Sequence, residues 1–321
     1  MSRRPGLRPR PRLWVACLAI LLHVQAAWAQ PTIVAVKSLE AEPYSVALEG
    51  FRQTFARMVR DAAIQEFVLG DRIESRERIV AQIRARRPSV MMTIGSTATA
   101  FVRGQLPDIP LVFCMVLNPV ASGFVPSLRS SGGNLTGASL DIPTRVQLES
   151  FRAVVPSIKR VGVLYDPRDT GDVVMAAEKA ARDLGLQLIA APVGSSDKLR
   201  EALVSLDGRI DALWAVADRT VFATDRSTEF LLKNAIEKKI PFMGLSPSFV
   251  KAGALLGLGV DYRDIGAQCA EITAQVLDGH SPSDIPITAP RKTTLYVNST
   301  VAKAIGVSIP PRILDGAVVL K

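Results

Sequence analysis

Short apolar runs alternate with segments of helical periodicity along almost the whole chain, and this restricts the fold more than any other feature. Residues 33–36, 64–68, 90–94 and 111–116 are apolar runs of strand length, the kind expected of strands buried on both faces. Between them, Leu48, Phe51, Phe55, Met58 and Val59, then Ile79, Val80 and Ile83, recur at steps of three and four. A second set follows the Gly132-Gly133-Asn134 turn. Its predicted strands lie near 161–165, 186–191, 212–216, 241–244 and 254–259. Its predicted helices lie near 172–184, 197–206, 226–238 and 265–277. Such alternation predicts an α/β protein with parallel sheets covered by helices on both faces. At 321 residues the chain is too long for one ordinary domain; two of about 150 residues fit better. Only Pro-rich stretches such as 281–290 read as linkers.

The N-terminus carries an export signal. Arg3, Arg4, Arg8, Arg10 and Arg12 form a basic segment without an acid, an apolar stretch covers 13–24, and Ala27-Trp28-Ala29 makes a small-x-small cleavage site before Gln30. The apolar stretch falls short of the roughly 20 residues a membrane-spanning helix needs. Residues 1–29 are therefore expected to be a cleaved signal peptide, placing the mature chain outside the cytoplasm.

Cleavage changes the charge argument. The whole chain carries a formal net charge of +9; losing five arginines and no acid leaves +4. That surplus is spread thinly, with Arg84-Ala85-Arg86-Arg87 as its one cluster. Nucleic-acid binding needs a concentrated basic face with a recognition motif, and neither is present. Cys114 and Cys269 remain after cleavage. Disulfides are permitted outside the cytoplasm, but the spacing leaves pairing open, and two buried thiols is the preferred reading.

In open parallel sheets, ligands sit beyond the carboxyl ends of the strands. The loops so selected are 38–44, 95–97, 117–119, 165–169, 217–220, 245–248 and 260–262. Nearly all are rich in Ser, Thr, Asp, Asn or Tyr, types that orient a small polar ligand. Gly95-Ser96-Thr97 follows a buried strand and opens a helix; its hydroxyls and free N–H groups suit a ligand carboxylate or an ordinary N-cap. Asp218 and Asp261 follow predicted strands, where a carboxylate holds a ligand ammonium group or caps the next helix. Tyr44, Tyr165 and Tyr262 offer an apolar wall with a polar tip.

Catalysis is poorly supported. His23 leaves with the signal peptide, and His280 lies far from any nucleophile motif. Gly244-Leu245-Ser246-Pro247-Ser248 lacks the closing arrangement of a nucleophile elbow. No Walker A sequence and no Gly-x-Gly-x-x-Gly turn follows a strand. No cofactor, no metal and no catalysis are expected.

At these residues the chain resembles a known family. Gly95-Ser96-Thr97-Ala98, Ile109-Pro110-Leu111-Val112-Phe113, Asn118-Pro119-Val120, Gly123-Phe124-Val125 and Gly133-Asn134-Leu135-Thr136-Gly137 occur in its order. Asp218, Gly253-Ala254, Asp261-Tyr262, Leu277-Asp278-Gly279, Asn298 and the run 304–310 continue it. Together they are similar to the substrate-binding proteins of ABC importers, in the group that includes tryptophan- and tyrosine-binding members.

The resemblance implies the periplasmic binding protein type I fold: two Rossmann-like lobes with the ligand cleft between them. It implies an N-terminal lobe of 30–143 completed by about 262–290, and a C-terminal lobe of 144–261 completed by about 291–321. It also implies delivery of a small solute, an amino acid or related carboxylate, to a membrane permease with its ATPase; a monomer is expected, and the alternatives are a receptor module that presents the same fold to a membrane sensor or an exported α/β hydrolase. Ser96 and Thr97 fall on the family's carboxylate-side loop, Thr136 and Gly137 near its hinge, and Asp218 on the polar loop of the second lobe. Asn118 stands where the family usually has Asp, and Arg219 where it often has Asn. A lost acid and a gained base make room for a more acidic ligand.

Overall fold

In a computed structural model the structure describes residues 31–59, 62–70 and 73–321. The signal-peptide expectation lies outside the described residues. The first lobe opens with β1 (Thr32–Lys37), α1 (Glu42–Met58), β2 (Ala63–Val68), α2 (Ile73–Arg86), β3 (Val90–Ile94), α3 (Ser96–Gln105), β4 (Leu111–Val116) and β5 (Leu135–Ser139). These five strands form one parallel sheet in the order β2-β1-β3-β4-β5. β3, β4 and β5 are buried along their whole length, because helices cover both faces, whereas edge strand β2 is exposed at Ala63, Gln65, Glu66 and Val68.

The chain continues through α4 (Thr144–Val154), β6 (Arg160–Tyr165), α5 (Gly171–Asp183), β7 (Gln187–Pro192), α6 (Leu199–Val204), β8 (Ala212–Trp214), α7 (Asp225–Glu237), β9 (Phe242–Gly244), α8 (Pro247–Ala252) and β10 (Leu256–Val260). After α9 (Tyr262–Leu277) come β11 (Thr293–Asn298), α10 (Ser299–Ile305), α11 (Pro311–Leu314) and β12 (Val318–Leu320). The second sheet runs β12-β11-β10-β9-β8-β6-β7 and is parallel except where β11 meets β10. The molecule is thus an α/β protein of two Rossmann-like lobes.

Helix α9 returns from the second sheet to pack on α1 and β4 of the first. It is buried nearly all round, including Ile265, Gly266, Cys269, Ala270, Ile272 and Thr273. The approach to α1 is close because glycines face it: a Cβ on Gly266 would overlap the Ala47 carbonyl, and one on Gly50 the Arg263 carbonyl. On the α1 side, Phe51 and Phe55 stack at 5.1 Å between ring centroids. Each is fully buried, contributing about 2–3 kcal/mol by removal from water. Cys114 on β4 and Cys269 on α9 are both free and buried, each thiol turned toward a backbone carbonyl of the other's element (Ile265 O at 3.9 Å, Phe113 O at 3.7 Å).

The Pro-rich stretch 281–290 is more than a linker. Ser139 N–H donates to Thr288 O and Thr288 N–H to Gly137 O, so the segment pairs with the open edge of β5 on its way to the second lobe. Leu135–Ser139, which lacks a clear apolar pattern, is a strand because β4 and this segment flank it.

Candidate functional site

The carboxyl ends of the two sheets face a common cleft of about 650 Å³, within the roughly 300–1,000 Å³ usual for small-ligand sites. Leu117–Val120 after β4 and Leu140–Ile142 after β5 line it from the first lobe. Trp214–Ala217 from β8, Leu245–Pro247 after β9, and Gly259 and Val260 from β10 line it from the second. Gln147 on α4, Asp169 and Asp172 at the start of α5, Tyr262 opening α9, and the crossing residues Ile287–Ala289 complete the wall. Most of these are apolar. Burial pushes the Tyr262 hydroxyl above its ordinary pKa.

Trp214 forms part of the floor and is held in place by its Nε1–H, which donates to Gln147 Oε1 at 2.8 Å. Gln147 in turn donates from Nε2 to Ile142 O at 2.7 Å. The indole face is therefore fixed, and its one polar atom is satisfied away from any ligand.

At the end of β4 the backbone is irregular. Its pairing with β5 slips between Cys114 and Val116, Met115 takes φ 60 and Asn118 φ 46. Left-handed conformations are uncommon outside glycine, with Asn among the exceptions, and bulges of this kind re-aim groups beside sites. Here the slip aims the Asn118 N–H at Asp141, whose Oδ1 and Oδ2 both lie 3.0 Å away. The Asp141 N–H is met by Ser139 Oγ at 2.8 Å. Burial raises the Asp141 pKa above its ordinary value, with the Asn118 and Ser139 hydrogen bonds working against it.

Of the residues singled out in the sequence, Asn118 and Tyr262 line this cleft. Ser96 and Thr97 stand exposed at the head of α3, one strand further out than the cavity. They are not the capping groups: Ser38 Oγ accepts from Ala98 N–H at 2.9 Å and donates to Ile94 O at 3.0 Å. Their own side chains thus remain presented to solvent, above first-turn N–H groups that have no carbonyl one turn earlier. Gly95 (φ 90) makes this corner, and a Cβ there would stand 2.6 Å from Tyr44 Oη and 2.7 Å from Ser38 Oγ. Tyr44 accordingly belongs to the same surface as Ser96.

The others are occupied structurally. Asp218 is buried and accepts four hydrogen bonds, from Asp166 N–H (2.7 Å), Thr170 Oγ1 (2.6 Å), Thr220 N–H and Val221 N–H (both 2.9 Å). It ties the loop after β6 to the loop after β8. Asp261 caps α9 by accepting from Asp264 N–H. Thr136 lies inside β5, donating to Ile285 O at 2.8 Å, and Gly137 beside it lies so close to Phe113 O that a Cβ would overlap it. Tyr165 packs on the core of the second lobe. None of these four residues, nor Asp218, lines the cavity.

Sequence reasoning passed over Asp141, Gln147, Trp214 and Asp172, and reached Asp169 only as the end of the selected loop 165–169. The rule that ligands meet strand ends would have reached Asp141 had Leu135–Ser139 been recognised as a strand. The base at Arg219 is also spoken for: its guanidinium bonds Asp169 Oδ1 at 2.6 Å, and that bond holds Asp169 below its ordinary pKa. No Lys, Arg or His is among the residues lining the cavity, while Asp141, Asp169 and Asp172 are. Among the described residues no group of His, Cys, Asp or Glu is arranged to hold a metal ion, and no helix is long and apolar enough to cross a membrane.

This architecture has known relatives. The "Tyrosine-binding protein" of Clostridioides difficile (strain R20291) is 27% identical over 231 residues, which is 71% of this chain and 66% of that protein, just under two thirds of its length. A solved ABC domain in complex with L-Trp from Streptococcus pneumonia superposes with a TM-score of 0.63 at 21% identity, covering 91% of this chain and 100% of the other. The ligand-free, open structure of a substrate-binding protein with adhesive properties from Clostridium difficile superposes with a TM-score of 0.73 at 24% identity, covering 91% and 99%. These likenesses establish the type I binding-protein fold. Residues 70–320 match the family described as ABC transporter substrate binding protein; the chain belongs to that family, whose members bind solutes rather than transform them.

Proposed function

We propose that the mature protein, residues 30–321, works in the periplasm as the solute-capturing component of an ABC importer. It takes a small solute with an apolar body and a polar head into the interlobe cleft. It then delivers the solute, as a monomer, to a membrane permease and its ATPase. The observation that carries this reading is the cavity itself: apolar, lined from both lobes at the carboxyl ends of their strands, with few polar groups. Aromatic amino acids are the first candidates, since the Trp214 floor and the Leu117, Ile142 and Val260 walls suit a ring. The kinship with tyrosine- and tryptophan-binding proteins supports the same choice.

The two lobes, 30–143 with 262–290 and 144–261 with 291–321, close about the crossing segments. Closure is selected by the contacts that the closed form alone makes with the solute. It brings the second lobe toward Ser96, Thr97 and Tyr44, so that the head of α3 meets the anionic end of a zwitterion.

Thermal-shift screening of residues 30–321 against amino acids, organic acids and nucleosides tests the proposal. A true ligand at a hundred times its Kd stabilises by about 2.7 kcal/mol. A library in which nothing raises the melting temperature argues against solute capture by this cleft.

A further inference from the structure

We infer that Asp141 makes the cleft selective for a positively charged amino group, so that it takes amines and zwitterions with an apolar body and rejects their deaminated acids. The inference rests on the solute-binding reading above and names the class of solute.

Asp141 stands two residues beyond β5, half-buried in the cleft wall between Leu140 and Ile142. Its two oxygens share the Asn118 N–H, and the Ser139 hydroxyl is their one further partner. An ionised carboxylate offers about four acceptor sites, so most of its hydrogen-bonding capacity is unspent in a largely apolar cavity. The lining supplies no cation to answer it; of the other carboxylates at hand, Asp169 is paired with Arg219 and Asp172 adds to the negative potential. Arg219 engages Asp169 rather than Asp141. A half-buried charge met only by neutral donors is under-compensated, and a solute ammonium restores what burial removed. A carboxylate brought there without an ammonium would meet a like charge in a medium of low polarity.

The position is also built for the task. The slip after Cys114 and the left-handed Asn118 orient that single N–H onto the carboxylate. This fixes the side chain without neutralising it. The charge that the chain lacks at position 118, where Asn stands, is therefore present in the cleft from the neighbouring strand, and the more acidic ligand suggested by the sequence is disfavoured. The raised pKa of Asp141 agrees with this account.

The test is calorimetric titration of residues 30–321 with matched probes: tyrosine, tyramine and 3-(4-hydroxyphenyl)propionate, and likewise tryptophan, tryptamine and 3-indolepropionate. Amine-bearing probes are expected to bind, and the deaminated acids to bind at least tenfold more weakly. Asp141→Asn is expected to weaken the amines about 10- to 150-fold, the range of a charge-assisted hydrogen bond, while leaving the acids unchanged or improved. Circular dichroism of that variant establishes that it folds, and a purely structural Asp141 would not shift the ratio of amine to acid affinity. Acids binding as tightly as their amines, no binding by any amine, or an Asp141→Asn variant with undiminished amine affinity would each overturn the inference. If the acids bind well, solute capture stands and only the selectivity fails; if no solute of any class binds, the solute-binding reading itself fails.

Discussion

Thr170 Oγ1 donates to Asp218 Oδ2 at 2.6 Å across 48 residues of sequence, inside the second lobe rather than in the cleft. With the Asp166 N–H on the same oxygen and two N–H groups on the other, the carboxylate is fully engaged. A residue that sequence position and family resemblance both nominate for ligand binding is thus a strut between two loops.

The first prediction follows from that strut. Asp218→Ala leaves four donors, three of them in buried contacts, without their acceptor, and losses of this type cost about 3 kcal/mol. At about 2–4 °C per kcal/mol for a chain unit of this size, the unliganded melting temperature should fall by about 6–12 °C. A variant that melts normally but binds poorly would return Asp218 to the ligand.

The contact between α1 and α9 predicts a second effect. Gly266→Ala drives a methyl group into the Ala47 backbone, which cannot rotate away as a side chain does. The cost should reach about 3 kcal/mol, the upper end for overpacked sites. Gly104→Ala is the control: it lies at an exposed position of α3 with nothing within 4 Å of the new methyl, and should stabilise by about 0.5–1 kcal/mol. Urea denaturation of the two variants checks the contrast; equal stabilities would mean the helices can separate without loss.

Trp214 should report occupancy. Of the tryptophans at 14, 28 and 214, only the last lies beyond residue 29, and it lines the cavity. Intrinsic fluorescence of residues 30–321 should therefore change with solute concentration and saturate at the calorimetric Kd. A solute that binds with a full heat signature and leaves the emission untouched would be bound elsewhere.

Acid should weaken the second lobe selectively. Hydrogen bonding from Arg168 holds Asp166 below its ordinary pKa, Arg219 does so for Asp169, and Arg160 for Asp211. For a depressed carboxylate, the unfolded chain takes up protons first. Stability is therefore complete above the unfolded value of about 3.9 and is lost as pH falls through the lower folded values. Asp141 has the opposite sign: its raised pKa makes folding less favourable as pH rises out of the carboxylate range. Denaturation midpoints followed from pH 6 to pH 2.5 should decline below about pH 4, with a shallower decline in Arg160→Ala. A flat profile would show that these pairs are equally strong in the unfolded chain.

Much of the architecture was written in local pattern. Apolar runs at residues 90–94 and 111–116 and the three- and four-residue steps of Leu48, Phe51 and Phe55 are consequences of near-neighbour geometry, and they specify parallel strands under covering helices. The strand-end rule, equally local, pointed to 117–119, 245–248 and 260–262, all of which contribute to the cleft. Leu135–Ser139 was invisible because Gly, Ala and Ser carry little strand preference and Leu135 and Thr136 alone make no pattern; β4 on one side and Thr288 on the other make it a strand.

The choice of carboxylate was likewise a tertiary decision. Asp218 and Asp141 both follow strands, and nothing in their immediate neighbours separates them. Thr170, distant in sequence, arrives to occupy Asp218, while a bulge at Met115 offers Asp141 only one N–H. Whether a charged side chain is spent or available depends on which donors reach it. The deciding donors come from elsewhere in the chain, Asp166 and Thr170 reaching Asp218 across 52 and 48 residues and Asn118 reaching Asp141 across 23, a relation that no local pattern encodes.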